Sequence, residues 1–175
     1  MTDIVSRAAA FAHEAHAGQN RKGSAKEPYT THLEEVAAFV ARHGGDTTAI
    51  AAAWLHDTLE DCAVLSETLV RDFGPEVAAT VAEVSDDKSL PKAWRKALQI
   101  ENAPKKSERA ALVKLGDKAS NVRSIRQSRP TGWDDARCRA YVDWAEAVAA
   151  ALPWPLGPAR SELARQIAET RRHLG

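Results

Sequence analysis

No stretch of the chain alternates apolar and polar residues cleanly over more than a few positions, and Asn-Gly and Asp-Gly hairpin turns are absent. Apolar residues instead recur three and four apart, as Val36, Phe39 and Val40 do beyond His32, which is the spacing of one helix face. Glycine, proline and capping residues divide this pattern into helices. A first is predicted over about residues 3–17, stopped by Gly18, with the polar loop GQNRKGSAKE after it. A second begins near Pro28, which suits a first helical turn, and ends before Gly44-Gly45. Asp46 caps a third over about 47–60. A short helix over about 65–72 follows, and Gly74-Pro75 opens another to about 85. Beyond the loop DDKSLP, helices are predicted over about 91–102, 106–126, 134–151 and 159–173, with LPWPLGP breaking the chain before the last. There is no internal repeat and no low-complexity linker. The expectation is one all-α domain over residues 1–175.

Composition supports that reading. The 34 Ala against 17 Val plus Ile favour helix over strand. A chain of 175 residues can bury a core without disulfide or metal staples, and 44% apolar residues is too many for a disordered chain. Cys62 and Cys138 make neither a disulfide framework nor a thiolate metal cage. No apolar run reaches about 18 residues, so no membrane span is expected. The start, MTDIVSRAAAFAHE, lacks the basic and then apolar pattern of a secretory signal, and a cytoplasmic protein is expected. Twenty-four basic residues cancel 24 acidic ones, which argues against a nucleic-acid binder. The charge is nevertheless uneven. His56–Asp87 holds nine acids and one base, whereas Lys88–Arg109 holds seven bases and two acids. An acidic block beside a basic one suits a site that holds a cation and an anionic substrate together.

The chemistry gathers in short pieces. WLHDTLED, residues 54–61, packs four titratable groups into six residues between apolar flanks. On a continuous helix, His56 would stack with Glu60 and Asp57 with Asp61, one turn on. Burying such a cluster unpaired costs several kcal/mol, and a bound cation is the natural compensation. His32, on the second helix, reads by itself as a structural histidine. Asp117 in KLGDKASNV reads by itself as the partner of Lys114 or Lys118 in an ion pair worth little. GQNRK, DDKSLPK, Asn121 and Arg123 add basic and polar surface.

His32, then His56-Asp57, then Asp117 is similar to the H…HD…D pattern of the HD-domain metal-dependent phosphohydrolases. HAGQNRKG, PYTTHLEEVA, AAWLHDTLED, LVKLGDKASNVRSI and RAYVDWA together resemble the hydrolase domain of RelA/SpoT proteins, in its single-domain form, the small alarmone hydrolases. That resemblance implies an HD-type bundle of about eight to ten helices. It also implies a manganese-dependent 3′-pyrophosphohydrolase of ppGpp and pppGpp that releases pyrophosphate. By motif, His32, His56, Asp57 and Asp117 would hold one Mn²⁺, and Glu60 and Asp61 would position or deprotonate the attacking water. Arg21, Lys22, Asn121, Arg137 and Tyr141 would contact the nucleotide. The implied partner is this small-molecule nucleotide, with no nucleic acid and no membrane, and assembly into a homo-oligomer is left open.

The donor types agree, since imidazole nitrogen and carboxylate oxygen without thiol suit Mn²⁺, Mg²⁺ or Fe²⁺ better than a structural zinc. Two other readings stay open here. One is an HD phosphohydrolase acting on the NADPH 2′-phosphate, a nucleoside monophosphate or a cyclic dinucleotide. The other is a non-catalytic nucleotide-binding protein, against which the intact ligand and acid set argues. Leu33, Gly116 and Ala119 depart from the family's usual residues, and the last two would loosen packing around Asp117. His16 is read as a packing or hydrogen-bonding residue, His43 and His173 as helix-end histidines. Cys62 is read as a small apolar residue, and the five tryptophans as packing residues, with Tyr141 the better candidate for base stacking.

Overall fold

The computed structural model describes residues 3–175. Ten α-helices follow one another: α1 (Ile4–Ala15), α2 (Thr30–Arg42), α3 (Thr47–Leu55), α4 (Thr58–Asp61), α5 (Ser66–Phe73), α6 (Pro75–Val84), α7 (Lys92–Asn102), α8 (Glu108–Gln127), α9 (Asp135–Ala151) and α10 (Gly157–Leu174). A single 3₁₀ turn, Ala103–Lys105, joins α7 to α8. No strand occurs among the described residues, so the all-α expectation holds. Two isolated bridges among the described residues, Asn20 with Pro28 and Gly23 with Pro130, pin the polar loop after α1.

Local chemistry starts the helices where the sequence says. Asp46 Oδ1 accepts from Ala49 N at 2.8 Å, Ser107 caps α8 through Ala110 N, and Asp134 caps α9 through Arg137 N at 2.8 Å. Pro75 occupies the first turn of α6, where its missing N–H costs nothing. The helix predicted over 47–60 is a correction. It ends at Leu55, and a separate single turn begins at Thr58.

The core forms around α8, which packs against α2, α3, α6, α9 and α10. The alanines of α3 (Ala49, Ala51, Ala52 and Ala53) are all buried and let α1, α2, α6 and α8 close in around it. Gly116 does not loosen α8. A Cβ there would meet Phe39 Cδ1 at 3.0 Å and Val36 Cγ1 at 3.2 Å, so the glycine allows α2 and α8 to approach closely beside Asp117. Ala119 is buried in the same core and borders a polar cavity of about 260 Å³ between α2, α8 and α10. The loop after α1 is docked rather than free: at Gly23 a Cβ would collide with Ser128.

Candidate active site

The break between α3 and α4 creates the site. Adjacent side chains on a helix diverge by about 100°. Here the helix stops at Leu55, and Asp57 becomes the residue before α4 with φ −100° and ψ −1°. The freed Leu55 carbonyl is taken by the Thr58 hydroxyl at 2.7 Å. His56 Nε2 and Asp57 Oδ2 therefore converge to 3.1 Å instead of pointing apart. Asp57 and Asp61 stay one turn apart, with Asp61 N donating to the Asp57 carbonyl at 2.8 Å.

From α2, His32 brings its Nε2 to 3.2 Å from His56 Nε2 and 3.6 Å from Asp57 Oδ2. From α8, Asp117 places Oδ1 3.5 Å from His32 Nε2. His32, His56 and Asp57 form a group whose donor atoms all lie within 4.8 Å of one another. Asp117 joins them through His32.

Hydrogen bonds behind the two imidazoles set their tautomers. His56 Nδ1 lies 2.7 Å from the Ala53 carbonyl, which can only accept, so Nδ1 carries the proton. The Ser120 hydroxyl donates to Glu35 Oε2 at 2.5 Å and therefore accepts from His32 Nδ1 at 2.8 Å. In their neutral forms both Nε2 atoms thus face each other as lone pairs, with two carboxylates beside them. That arrangement is repulsive unless a positive charge sits between, and the donor set fits a divalent cation. The two imidazoles respond differently, burial lowering His32 below its ordinary value. Burial opposes charge on His56, but the Asp57 carboxylate outweighs it and lifts the imidazole to about 9. Burial likewise opposes ionisation of Asp57 and Asp117, yet His56 and Lys118 respectively hold them well below the carboxylate range.

Asp117 does pair with Lys118, at 2.8 Å, as its sequence context suggests. The pair is buried rather than superficial, with Lys118 only 3% exposed, so the small value of a surface pair does not apply to it. Asn121 Nδ2 donates to the other Asp117 oxygen at 2.6 Å. Lys118 Nζ also lies over the Trp144 ring, 4.2 Å from its centre.

The two acids after the break part company. Glu60 Oε1 accepts from Asp86 N at 2.7 Å, and burial, reinforced by the nearby Asp57 and Asp86 carboxylates, pushes its carboxyl up to about 7. Asp61 is solvent-exposed and bound to Lys88 Nζ at 2.7 Å.

Beside the imidazoles and carboxylates opens a cavity of about 370 Å³. Its walls carry six cations, Arg21, Lys22, Lys88, Lys92, Arg95 and Lys96, against the single carboxylate of Asp86. Tyr29 and His32 also line it, as do Asn121, Tyr141, Trp133 and Trp144. Arg137 is not part of the lining; its guanidinium stacks over Trp133 at 4.6 Å. Arg21 lines the cavity yet is largely committed elsewhere, donating to Glu35 at 3.2 Å and to Ser120 at 3.3 Å.

Sequence reasoning missed several of these residues. Tyr29 bonds Asp57, and Ser120 bonds both His32 and Glu35; only tertiary contact reveals these three. Lys96 and Arg95 belong to the basic run already noted, and helical spacing from Lys92 would have placed them on the same face. Trp133 and Trp144, read as packing residues, also line the cavity. The readings of His43 and His16 agree with the structure, whereas Cys62, read as a small apolar residue, is half-buried with its sulfur against Gln19 and His16. His43 ends α2 and bonds Glu162 at 2.8 Å, His16 is buried against its neighbours, and Cys62 lies 3.5 Å from His16 Nδ1.

An all-α fold with paired histidines and carboxylates on this spacing defines a class, and the comparisons agree. The chain belongs to the HD-domain family, whose model matches residues 8–141. More particularly, it is 44% identical over 151 residues to the guanosine-3′,5′-bis(diphosphate) 3′-pyrophosphohydrolase MESH1 of Xenopus tropicalis, covering 85% of this chain and 84% of that one. It is 39% identical over 169 residues to the Homo sapiens enzyme of the same name, covering 95% and 90%. Among solved structures it is similar to a metazoan ortholog of SpoT that hydrolyzes ppGpp and plays a role in starvation responses. That match has a TM-score of 0.87 and 36% identity, covering 100% of this chain and 97% of that one.

Proposed function

We propose that this protein is a divalent-cation-dependent pyrophosphohydrolase that removes the 3′-diphosphate of ppGpp and pppGpp, leaving GDP or GTP. The observation that carries the reading is the juxtaposition of the imidazole–carboxylate centre with a cavity bearing six cations against one carboxylate. A site for an uncharged or singly phosphorylated ligand has no need of that charge, whereas a nucleotide with two diphosphates does. The names of the relatives agree with this substrate.

His32, His56, Asp57 and Asp117 would hold the cation, with Mn²⁺ the ion we favour for nitrogen and oxygen donors without thiol. Bound there, the cation polarises the phosphoryl group and lowers the pKa of water. Glu60 takes the proton from the attacking water, since its carboxyl at about 7 accepts a proton yet stays ionised above neutrality. Water adds to the phosphorus on the ribose 3′-oxygen, the P–O3′ bond breaks, and the ribose oxygen gains a proton. Asp61 supports this chemistry from outside by holding Lys88 at the cavity mouth. Lys22, Lys88, Lys92, Arg95 and Lys96 bind the phosphates. Tyr141 and Asn121 contact the nucleoside, with Arg137 backing Trp133 at the rim. Arg21 serves both the cavity wall and the Glu35–Ser120 support of His32.

The test is pyrophosphate and orthophosphate release from ppGpp with Mn²⁺, with and without EDTA, beside NADPH and GMP. Pyrophosphate with GDP, abolished by EDTA, is the expected result. Orthophosphate from NADPH or GMP with ppGpp untouched would keep the metal chemistry and overturn the substrate.

A further inference from the structure

Asp57 sits on a two-residue link between helices and makes no side-chain cap to the backbone of α4. Its carboxylate is therefore not oriented by the chain it belongs to. Apart from the histidines, the hydrogen-bond partner of its Oδ2 among the described residues is the Tyr29 hydroxyl, which donates at 2.6 Å. The same oxygen faces both His56 and His32.

Tyr29 is itself held from three sides. Its backbone N–H donates to the Gln19 carbonyl at 2.9 Å. Its ring stacks on the buried ring of His16, with centres 5.0 Å apart and planes 25° apart. It lies 5.6 Å from the His32 ring on another side. His16 is then fixed to Gln19, whose Oε1 accepts from His16 Nδ1 at 2.9 Å. Gln19 Nε2 donates to the Asp61 carbonyl at 3.1 Å, which closes the loop back onto the turn that carries Asp57. The HAGQ stretch and Tyr29 thus make a closed brace around the break between α3 and α4. His16 Nε2 is buried without a partner, so the ring's polar contacts are made through Nδ1 alone.

We infer that Tyr29, held by His16 and Gln19, is a positioning residue that aims the Asp57 carboxylate at the cation. The inference rests on the metal-site reading above. It explains why a histidine and a glutamine that touch no proposed ligand belong to this site. A partner behind a metal ligand typically changes metal affinity by about 10–100-fold when it is removed.

The test measures Mn²⁺ binding to the metal-stripped full chain, by electron paramagnetic resonance of free ion and by calorimetry. Wild type, Tyr29→Phe, His16→Phe and Asp57→Ala are compared, each with its melting temperature. Tyr29→Phe keeps the ring and its stack, and it is expected to bind Mn²⁺ about 10–100-fold more weakly. With saturating Mn²⁺, its kcat is expected to return to near the wild-type value. His16→Phe keeps a ring against Tyr29 but frees Gln19, and it is expected to show a smaller loss in the same direction. It carries the test if Tyr29→Phe fails to fold. Mn²⁺ binding by Tyr29→Phe within twofold of wild type, while Asp57→Ala loses it, overturns the inference and leaves the metal site intact. Undiminished binding by Asp57→Ala overturns the metal-site reading itself. A Tyr29→Phe variant with normal affinity but depressed kcat at saturating metal also overturns the inference, because the hydroxyl then acts on the reaction and not on Asp57.

Discussion

A carboxylate works as a base only while it is ionised, so the placement of Glu60 has a direct kinetic consequence. Burial and its acidic neighbours push its carboxyl up to about 7. The ionised form is lost as the pH falls through that value, so kcat for ppGpp is expected to rise with pH through about 7 and to level off above it. Glu60→Gln is expected to retain Mn²⁺ binding and KM while kcat falls by about 10²–10⁴-fold, and the ascending limb of the pH profile should disappear with it. A pH–rate profile of both proteins checks this; near-normal turnover by the variant would remove Glu60 from the role. At this scale the sequence was informative about identity. The His56, Asp57, Glu60 and Asp61 cluster was legible from residue type and spacing, whereas His32 and Asp117 joined it only through the family resemblance. What was not legible is which nitrogen of each imidazole is free. That depends on Ala53 O and Ser120, and Ser120 is 88 positions from His32.

The helices themselves were legible because their signals are local. Asp46 caps α3 through its own Oδ1 to Ala49, three residues on. Removing that cap in Asp46→Ala is expected to cost about 1 kcal/mol of stability, read by urea unfolding at neutral pH. Hydrogen bonding to Arg109, against a smaller opposing effect of burial, lowers the Asp46 carboxyl below its ordinary value. A depressed carboxylate stabilises above its unfolded pKa and loses that contribution as pH falls through the folded one. The difference between Asp46→Ala and wild type is therefore expected to shrink as acid carries the pH below about 4. The one element misread is the one that makes the site. Ala51–Asp61 has no glycine or proline, so nothing local announces a break, and propensity alone continues the helix to residue 60. At the break the Thr58 hydroxyl takes the Leu55 carbonyl, and His56 and Asp57 meet His32 from α2. Gly116 is a similar case. It reads as a loosening substitution along the helix and is a tight contact with Phe39 across it.

Over the whole molecule, the neutral total hides a strong local field, and two expectations follow. The cavity cations act on a highly charged nucleotide across solvent, so KM for ppGpp is expected to rise as salt is raised from about 0.05 to 0.5 M, with kcat changing less. Lys92→Ala is expected to raise KM and flatten that salt dependence, which initial-rate kinetics at several ionic strengths would show. A cation held as proposed, by His32, His56, Asp57 and Asp117, would tie α2, the α3–α4 link and α8 together. A cation at about 100 times its Kd is therefore expected to add about 2.7 kcal/mol of stability to wild type and almost none to Asp57→Ala. Thermal unfolding with and without Mn²⁺ checks this, and an equal rise in both proteins would place the stabilising ion elsewhere. The sequence by itself determined the all-α class, most helix boundaries, the His56–Asp61 titratable cluster and the acidic and basic blocks, because these follow from periodicity, capping and residue chemistry within a few positions. Only the tertiary structure decided how those pieces meet. The approach of His32 to His56 and Asp57, the Tyr29 and Ser120 contacts behind them, and the joining of lysines from α7 with aromatics from α9 all depend on atoms far apart in the chain. Local energetics cannot register such contacts until the core around α8 has brought them together.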